Sequence, residues 1–184
     1  QQNNASMSGG HCEGFAALSL LLYSNKIDVN KFGASSAADL KLEGNELLQR
    51  EIAYWFVTQA TQPAASAIIK GTPTDIVNVL KQGYQNGAAS ETYAVGIYKP
   101  DRTGGHAVTA YGVANQGNGL VWILVYDNNY PKDERRIEVD TNANTWKYEA
   151  AINPNVASEL YQGDASTNTL EVVPSSARLV PQTC

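Results

Sequence analysis

The sequence predicts an α+β fold with helices first and an antiparallel sheet later, and three observations predict it. Apolar residues recur at helical spacing through the first half, and from Thr92 the period changes to that of strands. The chain of 184 residues, 43% hydrophobic and 17% charged, can build one core and is too short for two, so one ordered domain over residues 1–184 is expected.

The elements follow in chain order. A polar lead, Gln1 to Gly10, runs into an Ala- and Leu-rich stretch without β-branched residues, and Cys12 to Ser24 reads as a helix. Phe15, Leu18 and Leu22 make one apolar stripe and Ala16, Leu20 and Tyr23 a second, which predicts a central helix buried on most sides. Ser8-Gly9-Gly10 allows a sharp turn just before it. A second helix is predicted over Asn45 to Thr58, with Leu47, Leu48, Ile52, Trp55 and Phe56 along one side. A third has Thr72 as N-cap, Pro73 at its first position and Asp75 in its first turn, and ends near Gly83 with Val77 and Leu80 facing the core.

Val95 to Tyr98, His106 to Val113, Leu120 to Tyr126, Arg136 to Val139 and Leu170 to Val173 read as strands. Gln116-Gly117-Asn118-Gly119 between two of them is a hairpin turn, because Gly and Asn tolerate positive φ, so His106 and Asp127 fall on adjacent strands. The polar segment from Asn142 to Thr169 is read as loop, supplying one wall of a cleft.

Charge and composition exclude several function classes. A net charge of −5, with Arg135 and Arg136 as the strongest basic cluster, argues against a nucleic-acid partner. No apolar run approaches the roughly 20 residues that cross a bilayer, Leu20 to Tyr23 being short and preceded by Ser19, so no membrane insertion is expected. The Asn-, Gln-, Ser-, Thr- and Tyr-rich polar surface and the processed-looking start at Gln1 lead to a secreted, extracellular bacterial protein as the expectation. Two cysteines, Cys12 and Cys184, cannot make a dense disulfide framework.

Cys12 opens the first helix, where the helix dipole favours a thiolate and the Cys12 backbone N–H can face a developing oxyanion. Read alone, a single Cys near a helix start is more often a small buried hydrophobe than a catalyst. His106 enters a strand through Gly104-Gly105 and can present its ring at a cleft edge as a general base, or make an ordinary backbone hydrogen bond. The apolar strand Trp122 to Tyr126 stops on Asp127-Asn128-Asn129, which is turn chemistry that can also orient a histidine. Asp127 is the first choice for that role and Asn128 the alternative, since alternation sends the two to opposite faces.

In the order and wording of Gly10-His11-Cys12-Glu13-Gly14-Phe15, His106-Ala107-Val108-Thr109-Ala110-Tyr111-Gly112-Val113 and Tyr126-Asp127-Asn128, the chain resembles the papain-like cysteine peptidase superfamily, in its bacterial papain-fold branch. The resemblance implies a nucleophile on a central helix, a histidine and an Asp or Asn on the following antiparallel sheet, no cofactor, and protein or peptide as substrate. The side-chain oxyanion donor that the family carries upstream of the nucleophile has only Gln1, Gln2, Asn3 and Asn4 to match, and Asn4 is the choice. The Cys-rich wording around the nucleophile and the usual disulfides are missing.

The other polar residues are assigned simpler roles. His11 should diverge from its neighbour Cys12, and Glu13 is read as a first-turn acid on the helix dipole. Asp127, Asn128, Asn129, Asp133 and Glu134 lack the alternation of a calcium loop, and two histidines with two cysteines are too few for zinc, so no metal site is expected. Two alternatives stand beside peptide hydrolysis. One is a same-fold acyl transferase or cell-wall amidase; the other is a non-catalytic secreted binding module in which Cys12 is disulfide-bonded to Cys184.

Overall fold

Helix α1 (Cys12–Tyr23) is held between two surfaces in a computed structural model that describes residues 10–84, 90–131, 133–150 and 159–184. Its Ala17, Leu18 and Leu21 pack with Phe32 and with Leu48, Ile52 and Trp55 of α2 (Glu46–Val57), while Ala16 and Leu20 pack on Ala94 and Ala107 of the sheet. Burying each Leu contributes about 2 kcal/mol, so these two faces fix α1 in the centre; they differ from the expected stripes in that Tyr23 is 76% exposed while Ala17 and Leu21, in neither stripe, are buried. The close crossing of α1 and α2 depends on Gly14, where a Cβ would stand 2.2 Å from the Ile52 carbonyl oxygen.

Asn45 caps α2 by accepting from the Leu48 N–H at 3.2 Å. Leu47 does not join the apolar side expected of it and is 53% exposed; Leu48, Ile52 and Trp55, spaced four and three apart, face α1 instead. Helix α3 (Pro73–Gly83) starts as the sequence predicts, with Thr72 and Asp75 forming a reciprocal capping box. Its Ile76, Val77 and Leu80 are fully buried against the sheet.

The sheet has eight antiparallel strands: β1 (Ile69–Lys70), β2 (Tyr93–Tyr98), β3 (Gly105–Gly117), β4 (Leu120–Tyr126), β5 (Arg135–Asp140), β6 (Thr145–Ala150), β7 (Glu159–Asp164) and β8 (Leu170–Pro174). Their order is β1-β8-β2-β3-β4-β5-β6-β7. The β3–β4 hairpin turns at Asn118 and Gly119, both at positive φ. Strands β6 and β7 correct the reading of Asn142 to Thr169 as loop. The segment is polar because one face of β6 is exposed, while Trp146, Tyr148 and Ala150 on the other face are buried in strict alternation.

The sheet curls, bringing its ends together. Leu170 and Val172 of β8 share one apolar cluster with Trp146, Tyr148 and Tyr161 of β6 and β7, and Trp146 Nε1 donates to Thr169 Oγ1 at 3.3 Å. Lys99, just after β2, pairs with Glu159 at the start of β7. His106 is paired with Ile97 in the β2–β3 register, and paired residues share a face, so the His106 ring turns into the curl at its end while Ala107 turns out to α1.

Candidate active site

Cys12 is the first residue of α1, half-buried, and packs against the small side chains Ala16, Ala94 and Ala107 that let the helix approach the sheet. A helix start leaves its first N–H groups without intrahelical acceptors, so the Cys12 N–H belongs to a locally electropositive end. Gly10, at φ 115°, turns the chain into the helix, and among the described residues no atom lies within 4 Å of where a Cβ would stand there. Asn4, together with Gln1, Gln2, Asn3 and Gly9, lies outside the described residues.

The structure brings Cys12, His106 and Asp127 together. His106 is buried, its Nε2 stands 2.9 Å from Asp127 Oδ1, and the Cys12 thiol is its second side-chain partner. Burial alone would lower the His106 pKa, but the hydrogen bonds and charges of Asp127 and Cys12 outweigh it and raise the value to about 9. Imidazolium is therefore the form of His106 at neutral pH.

Asp127 follows the last residue of β4 and has no solvent exposure. Its carboxylate accepts three hydrogen bonds: from His106, from the Asn129 N–H at 2.9 Å, and on Oδ2 from the Tyr148 hydroxyl at 2.7 Å. Burial works against the charge, yet these partners, His106 foremost, hold its pKa below the ordinary carboxylate value. Between the two candidates of the turn, Asp127 takes the histidine. Asn128 faces elsewhere and donates to Asn129 Oδ1 at 3.2 Å.

Two neighbours of Cys12 are placed by packing. The His11 ring lies against Phe56, with centroids 5.2 Å apart. Glu13 is more than the first-turn acid expected from sequence. It is buried and ion-paired with Arg178, whose guanidinium also reaches Thr58 Oγ1 and, at 3.3 Å, the Trp55 carbonyl. The C-terminal segment is thereby tied to the start of α1 and the end of α2. Sequence reasoning missed Arg178, which carries no local signal, and Tyr148, whose inward position was readable from the alternation of β6.

Cys12 and Cys184 are both free thiols, which corrects the alternative that joins them in a disulfide. Backbone pairing of Thr183 with Gln62, at 2.7 and 2.8 Å, holds the chain end beside Gln62 with Cys184 exposed. Among the described residues no three His, Cys, Asp or Glu side chains converge as metal ligands, and no helix is long and apolar enough to cross a membrane. Comparison with protein-family models, curated proteins and solved structures returned no match.

Proposed function

We propose that this chain is a papain-like cysteine hydrolase that cleaves peptide or related amide bonds through a thioacyl intermediate on Cys12. The observation that carries the reading is the continuous contact from Cys12 through His106 to buried Asp127, each at a position where its chemistry is useful. The curled antiparallel sheet with α1 packed on its outer face fits the papain-like arrangement that the wording around Cys12 and His106 implies.

In this mechanism the Cys12 thiolate attacks the substrate carbonyl carbon, a C–S bond forms, and the carbonyl electron pair moves to oxygen, which faces the Cys12 N–H. His106, protonated at rest, gives its Nδ1 proton to the leaving nitrogen as the C–N bond breaks. Neutral His106 then takes a proton from water, whose oxygen attacks the thioester, and the acid leaves as the thiolate returns. Asp127 holds the Nε2–H and keeps the ring directed at sulfur throughout.

Iodoacetamide treatment of the native protein near neutral pH, read by peptide mass spectrometry, tests the nucleophile. Cys12 is expected to alkylate faster than exposed Cys184, and H106A is expected to remove that advantage. A native Cys12 that stays unmodified would count decisively against the reading. Casein, a pair of amines and purified cell wall, offered in parallel, separate peptidase, acyl transferase and cell-wall amidase by their products.

A further inference from the structure

Tyr161 carries a buried hydroxyl that has no hydrogen-bond partner among the described residues. It lies on β7 directly across from Tyr148 of β6, so the two rings share the inner face of the curled sheet, and both are buried. The Tyr148 hydroxyl ends on Asp127, whereas the Tyr161 hydroxyl meets no acceptor or donor among the described residues. That oxygen sits at the entrance to the His106 strand: a Cβ on Gly104 would lie 3.6 Å from it. Tyr161 also lines a cleft of about 390 Å³ with Lys99, Pro100, Asp101, Leu160 and Gln162. Burial first, then the charge of Glu159 and, least, that of Cys12 raise the Tyr161 pKa to about 12 and keep it a proton-bearing donor.

A hydroxyl that has given up water without gaining a partner destabilises the fold, and such groups persist where a bound molecule completes them. We propose that Tyr161 is a catalytic residue whose hydroxyl donates to the substrate carbonyl oxygen as that oxygen becomes an oxyanion under attack by Cys12. The assignment rests on the cysteine-hydrolase reading of the site and gives it a side-chain donor for the acyl group. No proton is transferred. The phenol O–H only forms a hydrogen bond that strengthens as the C–S bond forms and negative charge gathers on oxygen.

The test compares two reactions of Cys12 in a C184S background, with and without Y161F. Acylation by p-nitrophenyl acetate passes through an oxyanion and is read as the nitrophenolate burst; alkylation by iodoacetamide does not. Y161F is expected to slow acylation by at least about tenfold while alkylation stays within about twofold. Its melting temperature should equal or exceed that of the parent, because an unsatisfied buried group is removed. Equal changes in both rates, or unchanged acylation, would overturn the assignment, and so would a lower melting temperature, which would reveal a structural partner such as an ordered water. If the parent itself is neither acylated nor alkylated at Cys12, the hydrolase reading fails and the Tyr161 role falls with it; a failure confined to Y161F leaves that reading standing.

Discussion

Tyr148 donates a 2.7 Å hydrogen bond to Asp127 Oδ2 while His106 Nε2 stands 2.9 Å from Asp127 Oδ1, so one carboxylate is held from both sides by buried side chains. Having no solvent exposure, Asp127 owes its charge to these partners and to the Asn129 N–H. The Y148F substitution should cost about 1.5–3 kcal/mol at neutral pH, the range for a hydrogen bond to a charged group. Asp127 has a depressed pKa, so its contribution is present above the unfolded carboxylate pKa and lost as pH falls through the folded one. Urea denaturation of parent and Y148F at about pH 7 and about pH 3 should show a deficit that shrinks on acidification. A deficit of the same size at both would refute it.

His106 gives the opposite dependence. Its pKa rises from 6.5 to about 9, so its stabilisation is complete below the unfolded value and disappears as pH rises through the folded one. The shift corresponds to stability on the order of 3 kcal/mol lost across that interval. Replacing Asp127 with Asn keeps an acceptor for His106 but removes the charge, and should flatten the loss. Urea midpoints followed through this pH range for parent and D127N check this; parallel curves would be inconsistent with an Asp127-driven shift.

The Glu13–Arg178 pair is buried at both ends, so removing one partner strands the other. R178M should destabilise by about 3–5 kcal/mol, and E13Q/R178M should recover much of that, since no bare charge remains. Because Glu13 adjoins Cys12, R178M should also slow Cys12 alkylation. Denaturant midpoints and the alkylation rate, measured on the same samples, decide the matter; an R178M protein matching the parent in both would show that the pair holds nothing in place.

Gly14 admits no side chain without separating α1 from α2, because a Cβ would lie 2.2 Å from the Ile52 oxygen and 3.1 Å from Phe56 Cβ. The obstacle is backbone, which cannot swing aside. G14A should therefore lower stability by about 3 kcal/mol despite the better helix propensity of Ala. Thermal melts of G14A against A16G, a cavity-forming control on the same helix, measure it; a G14A protein at least as stable as the parent would mean that the helices stand further apart.

The sequence by itself determined the local structure: the span of α1, the Thr72-Pro73-Asp75 helix start, the Asn118-Gly119 turn and the strands that carry His106 and Asp127. These are readable because period, caps and turn residues act over a few positions. It also placed Cys12, His106 and Asp127 as candidates, since a hairpin of known turn puts the last two on neighbouring strands. Tertiary structure decided which of Asp127 and Asn128 meets the histidine, because that depends on which face is buried at the end of β4. It alone brought Tyr148 to Asp127 and Arg178 to Glu13, through the curl of the sheet and the return of the C-terminal segment to α1. Contacts of that range follow from how the layers close on one another, and no local spacing encodes them.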